Sequence, residues 1–370
     1  MELKQGELFC GPGGLALGSR MAGSFTGKNG ENWSIRTIWA NDYDKNTVET
    51  YKLNNPCNPD HVYCENVADL PIGNRNFLGD IDILTFGFPC NDYSTVGKQK
   101  GLDGHFGPLY TYGVKALDAY KPMAFVAENV SGLSSANKSK ALKKILEALQ
   151  SAGDGYEIVP HLYKFEEYGL PQARHRIIIV GISRKYIREH NVHFKVPKPL
   201  ITDPSHYKTS KEALENPPIP PYATNNDIPK MSEKVKKRLS YIPEGENAWY
   251  EGIPDELKLH VKGAKLSNIY KRLDRNKPAY TVTGSGGGGT HMYHWSDDRA
   301  LTNRERARLQ TFPDNFEFVG GINSVRKQVG MAVPPEGAKI IFQALLKTLA
   351  AINYDSVEPT AKLQICNTQN

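Results

Sequence analysis

The 370-residue chain carries 46 Lys and Arg against 40 Asp and Glu, a formal net charge of +6, with 39% hydrophobic and 23% charged residues. That is globular usage, and it excludes collagen-like, disordered and disulfide-dense classes, while no apolar run approaches the ~18 residues of a membrane span. The polar start from Met1 to Cys10 leaves no room for a secretory hydrophobic region and places the chain in the cytoplasm; five scattered cysteines, Cys10, Cys57, Cys64, Cys90 and Cys366, fit free thiols.

In chain order, Glu7-Leu8-Phe9 closes a first strand, and Gly11-Pro12-Gly13-Gly14 turns into a helix. Glycines there let backbone amides approach a ligand, and G-x-G-x-x-A matches the dinucleotide fingerprint, a weak signal by itself. A second strand, Ile35 to Ala40, runs into Asn41-Asp42-Tyr43-Asp44, where a carboxylate can take ribose hydroxyls and an aromatic ring can stack on adenine. Together these features point to an adenosine-containing cofactor, with NAD and S-adenosylmethionine both open. Helical periodicity follows over Asp44 to Leu53, Gly113 to Tyr120 and Ala141 to Gln150, alternating with apolar strands Ile81 to Phe86, Ala124 to Ala127 and Ile177 to Ile182. This alternation predicts an α/β fold, a parallel sheet with helices on both faces.

Three polar groups fall at strand ends. Gly87-Phe-Pro-Cys90 leaves the third strand, Glu128-Asn129-Val130 ends the fourth, and Gln172-Ala-Arg174-His-Arg176 opens the last. A lone thiol usually packs as a small hydrophobe, but a thiol, a carboxyl and two guanidiniums together are what a used site would keep. From about residue 184 the chain turns Pro-rich and irregular, and residues 230–278 hold 12 Lys and Arg against 7 Asp and Glu, interleaved with Tyr241, Trp249, Tyr250 and Tyr270. That balance suits a polyanion, and equally a solvated surface. A capping box, Thr302-Asn-Arg-Glu305, opens a helix, and Ala338 to Ile352 forms another near the end. Cys57, His61 and Cys64 lack a fourth ligand and zinc-like spacing, so no metal is expected. The glycines at 286–289 lack the strand-to-helix context of a phosphate cradle and read as a flexible connection.

These motifs, in this order, resemble the bacterial-type DNA (cytosine-5)-methyltransferase family over nearly the full length. The Gly-rich start resembles the first cofactor motif, Gly87 to Ser94 the Pro-Cys motif, Glu128 to Val130 the Glu-Asn-Val motif and Gln172 to Arg176 the Gln-x-Arg-x-Arg motif; Arg299 to Gln310 and Gln328 to Val333 resemble the ninth and tenth. The resemblance implies a Rossmann-like S-adenosyl-L-methionine-dependent methyltransferase sheet, residues 1–183 and 320–370, plus a smaller irregular DNA-recognition domain, residues 184–319, that includes the ninth motif. It assigns Cys90, Glu128, Arg174 and Arg176 to catalysis. Cofactor binding falls to Phe9, Gly11, Pro12, Gly14, Asp42, Tyr43, Asn66, Val67, Leu109 and Ala332. Ser94, Lys98, Lys271, Arg272 and Arg275 are expected on DNA. Asn66 stands where the family often has Asp, and Met331 where it usually has Asn.

The chemistry accounts for the residue types. Cytosine C5 is a poor nucleophile until a thiolate adds at C6, and an acid at N3 stabilises the charge that develops. The target base must leave the duplex stack, and the glycine-punctuated stretch from Asn91 to Tyr110 would close over it. The implied partner is double-stranded DNA, bound by a monomer without metal or membrane. A restriction-modification or orphan prokaryotic enzyme fits best, since no reader domain precedes the first motif. The rivals are a tRNA cytosine-5 methyltransferase on the same scaffold, whose Cys-Phe-Thr tripeptide is missing here, and a non-catalytic nucleic-acid binder.

Overall fold

The computed structural model describes residues 1–88, 109–130, 139–261, 266–284 and 289–360. Strands β1 (Glu2–Leu8), β2 (Phe25–Thr26), β3 (Asn32–Asp42), β4 (Val62–Cys64), β5 (Ile83–Gly87), β6 (Ala124–Val130), β7 (Tyr156–Lys164), β8 (Gln172–Ala173) and β9 (His175–Ser183) carry the first half. All but β8 join one sheet, ordered β2-β3-β1-β5-β6-β9-β7, with β4 also paired to β3. β3, β1, β5 and β6 run parallel, as alternating strands and helices predict.

β9 does not. It lies antiparallel between β6 and β7, which corrects the expectation of an all-parallel sheet. A fully apolar run such as Ile177 to Ile182 reads the same in either direction, so the sequence held no signal of its reversal. The consequence matters for the site. The start of β9, not its end, meets the carboxyl ends of the parallel strands, and Arg176 pairs opposite Val130.

Helices cover both faces because strand residues alternate. Phe125 and Ala127 face a core shared with α4 (Tyr110–Tyr120) and α5 (Ser139–Ser151), whereas Ala124 and Val126 face one shared with α1 (Gly14–Met21) and α11 (Pro335–Leu349). Between these helices in sequence lie α2 (Lys45–Asn54), α3 (Arg75–Leu78), α6 (Arg184–His190), α7 (Ser210–Glu215), α8 (Glu233–Leu239), α9 (Asn303–Leu309) and α10 (Ile322–Met331). The capping box is present, with Thr302 and Glu305 each bonding the other's backbone amide at the start of α9. Beyond residue 190 the strands β10 (Val196–Pro197), β11 (Ala279–Tyr280) and β12 (Ser356–Val357) are two residues each. A separate cluster around Leu239, Ile242, Leu257, Tyr270 and Tyr293 packs the basic segment. Another joins Ala307 and Leu309 of α9 to Val325 and Val329 of α10 and Leu17 of α1, so apolar contact crosses the 319/320 boundary. Among the described residues no helix is long and apolar enough to cross a membrane.

Candidate active site

β1 ends in a turn that reverses tightly, with Phe9, Gly11 and Gly13 all at positive φ. At Gly13, φ +97°, a Cβ would strike the Asn55 amide and the Tyr51 ring, so only glycine lets α1 start there. Gly11 is different: space around a Cβ position there is open. Beside it the Asp42 carboxylate is fixed at both oxygens, accepting from the Gly11 amide at 3.0 Å and the Asp44 amide at 3.0 Å. Burial pushes its pKa up, while the two amides and Lys327 oppose the rise. Tyr43 next to it is 61% exposed. An open glycine cradle, an anchored carboxylate and an uncovered aromatic ring fit an adenosyl group: Asp42 for the ribose, Tyr43 for the base.

The remaining expected cofactor residues spread along the same edge. Pro12 and Gly14 are buried in the turn, Val67 and Ala332 are buried, and Leu109 and Phe9 are half-buried against the sheet core. The side-chain oxygen of exposed Asn66 accepts from the Ala68 amide at 3.0 Å, which leaves one lone pair for a ligand. The sequence did not single out Lys327. Its Nζ lies 3.2 Å from Asp44 and 5.6 Å from the Tyr43 ring centroid, tying α10 to this rim. A lysine in a polar helix carries no signal of such a contact.

The second half of the site forms at the ends of β5, β6 and β9. Glu128 pairs with Gly87 across the parallel ladder and with Ile178 across the antiparallel one, which makes Arg176 its diagonal neighbour on the same face. Arg176 Nε sits 3.0 Å from Glu128 Oε1, both side chains largely buried. The other carboxyl oxygen lies 3.5 Å from where a Cβ on Gly87 would stand, two residues before the strand hands over to Pro89 and Cys90. Burial raises the Glu128 pKa, and the nearby Arg176 and Arg174 charges pull it back. Burial thus favours the protonated carboxyl, and the two guanidiniums favour the carboxylate. Cys90, Ser94 and Lys98 lie outside the described residues.

Arg174 is placed differently from Arg176. It is 1% exposed, and its guanidinium donates to the carbonyls of Val282 (2.9 Å), Gly330 (3.1 Å) and Ala332 (2.8 Å). Those bonds make it a brace between the sheet and the chain beyond it. Gln172 does similar work, donating to Leu309 O and Gln310 Oε1 and accepting from the Val282 amide at 2.7 Å.

Of the cations expected on DNA, Arg272 requires correction. It is 3% exposed, donates to the carbonyls of Leu239, His294 and Asp297, and pairs with Asp298. A guanidinium spent on buried carbonyls is structural. Arg275 is partly open but paired with Glu244 at 2.8 Å, and Lys271 extends over Tyr280 at 5.2 Å. Among the described residues no group of three or more His, Cys, Asp or Glu is placed to hold a metal.

The chain is similar to known proteins over nearly its whole length. A family model described as C-5 cytosine-specific DNA methylase matches residues 3–347. The Type II methyltransferase M.BbvI of Brevibacillus brevis is 55% identical over 360 residues, covering 96% of this chain and 94% of that protein. M.NgoFVII of Neisseria gonorrhoeae is 39% identical over 362 residues, with 96% and 90% covered. The crystal structure of a DNA modification methyltransferase encoded within an Escherichia coli prophage superposes with TM-score 0.65 at 23% identity, covering 94% of this chain and 99% of that one, a likeness of fold.

Proposed function

From the premise that this chain belongs to the C-5 cytosine-specific DNA methylase family, and so transfers a methyl group from S-adenosylmethionine to cytosine in DNA, we propose that Cys90 is its nucleophile and Glu128 its acid, with Arg176 holding Glu128. The thiolate of Cys90 bonds C6 of the target cytosine, and the C5–C6 electron pair moves to C5. Glu128 gives its proton to N3, neutralising the charge that the addition would place on the ring. Bound S-adenosylmethionine supplies the methyl group that C5 takes. Water then takes the C5 proton, the C6–sulfur bond breaks as N3 returns its proton to Glu128, and the thiolate of Cys90 is restored. Because C6 is closed to a protein side chain inside a stacked duplex, the target base is flipped out.

The observation that carries this reading is the carboxyl of Glu128 beside Gly87, on the strand that leads directly to Cys90, with a guanidinium 3.0 Å behind it. Burial raises that carboxyl's pKa, which favours the protonated form that delivers a proton. Asp42, Tyr43 and the Gly11 turn hold the donor. Arg174 braces the site through the carbonyls of Val282, Gly330 and Ala332. We assign sequence choice to residues 184 to about 298, and the Type II naming of both relatives supports a restriction-modification setting for this chain.

The test has two steps. Bisulfite sequencing of DNA from cells expressing the chain locates the methylated cytosine. A duplex with 5-fluorocytosine at that position cannot lose its C5 substituent, so the adduct should survive denaturing electrophoresis with the wild type and not with Cys90→Ser. Equal trapping by both would remove Cys90 from the mechanism.

A further inference from the structure

Among the described residues Arg176, Arg272, Arg299 and Arg308 each meet a carboxylate, whereas buried Arg174 and Arg304 each spend their donors on three backbone carbonyls. Arg306 and Arg326 lack a carboxylate too, and have fewer carbonyl partners than Arg174 or Arg304. Arg306, on α9, is 2% exposed; its Nη2 donates to the Thr283 carbonyl at 2.5 Å, and its Nε has no partner. Arg326, on α10, is 8% exposed; its Nη2 donates to Asn323 Oδ1 at 2.6 Å, and its Nη1 lies 3.2 Å from His291 Nδ1. Among the described residues neither forms an ion pair. The two charges are close enough to act on each other. Burial and Arg326 together push Arg306 down to about 10, and burial with both arginines pushes His291 down to about 4, leaving its imidazole neutral and able to accept from Arg326.

Two covered cations without an anion are costly, and the cost falls when an anion arrives. Each guanidinium has five donor hydrogens, and Arg326 spends two of them here, so several remain for a bidentate acceptor such as a phosphate. The position is as informative as the charge. Arg174, two residues from the Glu128 partner Arg176, holds the Val282 carbonyl, and Arg306 holds the next carbonyl, Thr283. Gly284 then packs so tightly against Gly330 of α10 that a Cβ on Gly330 would overlap it. The seat is therefore tied through two successive carbonyls to the rim where the cytosine reacts.

We propose that Arg306 and Arg326 form a seat for one backbone phosphate of the bound DNA, close to the target cytosine. Arg326 makes the outer contact beside His291, and Arg306 supplies the second charge beneath it. The proposal rests on DNA being the substrate.

The test uses the full-length protein and a duplex carrying the site found by bisulfite sequencing. Binding is read by anisotropy across a salt series for the wild type, Arg326→Gln, Arg306→Met and Arg306→Lys. Each phosphate around the target is then replaced in turn by a neutral methylphosphonate. Arg326→Gln should flatten the slope of log K against log salt by roughly 0.9 and raise KM for DNA, leaving kcat at saturating DNA unchanged. Wild type should lose about tenfold in affinity at one or two adjacent methylphosphonates, and Arg326→Gln should lose nothing further there. Arg306→Lys, which keeps the charge, should stay closer to wild type than Arg306→Met. Unchanged slopes and an unchanged methylphosphonate profile in Arg326→Gln would overturn the seat, even if Arg306→Met fails to fold. A wild type that showed no salt-dependent DNA binding would instead overturn the DNA reading itself.

Discussion

The sheet rim and the irregular lobe beyond residue 190 solve the same problem, burying backbone without stranding its polar groups, in opposite ways. In the sheet, ladders satisfy the backbone, so the side chains at the strand ends are left for chemistry: register places Glu128 and Asp42, and Arg176 and two amides then orient them. Among its described residues the lobe has only two-residue strands, and guanidiniums stand in for the ladder. Arg304 donates to the carbonyls of Thr224, Pro313 and Phe316; Arg308 to Ala213, Pro217 and Pro218; Arg272 to Leu239, His294 and Asp297. These three arginines are internal scaffolding. Rim substitutions should change rate or ligand affinity while stability holds, and lobe arginine substitutions should do the reverse.

The largest separation is expected at Glu128. Glu128→Gln should slow single-turnover methylation by roughly 10²–10⁴-fold while the thermal midpoint moves little. Arg304→Met is the counterpart. It strands three buried carbonyls, each costing about 1–3 kcal/mol, so urea unfolding should show a loss of several kcal/mol with specific activity per folded molecule preserved. A normal midpoint for Arg304→Met would break the comparison.

Glu7 offers a case inside the sheet where polar satisfaction is incomplete. Its carboxyl is buried, accepts from the Tyr51 hydroxyl at 2.9 Å and has an Oε1 with no partner, and burial raises its pKa from 4.5 to about 8. The folded state thus binds a proton that the unfolded state releases. Stability is full below about pH 4.5 as far as this group is concerned, falls as pH rises toward 8, and levels above it, a change of a few kcal/mol. Glu7→Gln, neutral throughout, should flatten that slope in denaturation midpoints taken from pH 5 to 9; an equally steep profile would mean another group sets it.

Smaller effects sharpen the contrast. Asp42→Ala frees the Gly11 amide and should weaken S-adenosylmethionine binding about tenfold by calorimetry, with the DNA salt slope unchanged. Lys271→Gln should reduce that slope by roughly 0.9 if its side chain meets a phosphate, whereas Arg272→Gln should leave the slope alone and lower the thermal midpoint. Matching slope changes at 271 and 272 would contradict the buried role of Arg272.

The rim was legible in the sequence because its residue types are dictated by chemistry and its positions by strand ends. Asp42 and Glu128 each follow an apolar run, and the structure finds them at its end. The direction of β9 was not legible, since alternation of strand and helix says nothing about a strand that follows another strand without a crossover. Nor was the fate of Arg272. A guanidinium that bonds distant carbonyls looks, one residue at a time, like one that meets solvent or DNA. Lys327 shows the same limit from the other side: its contacts with Tyr43 and Asp44 join segments far apart in the chain, and no local pattern records them.

The close approach of the first helix to the last has a bearing on synthesis. A Cβ on Gly14 would collide with the carbonyl oxygen of Val333, and one on Gly18 with Ala338, so the turn that cradles the cofactor is backed by residues translated near the end of the chain. Chains leave the ribosome N-terminus first at ~5–20 residues per second, and contacts between distant segments form late. For most of its translation the nascent chain therefore holds the Gly-rich turn without its backing. Competence to methylate arrives in one step, when α11 docks, rather than growing with the length of polypeptide made.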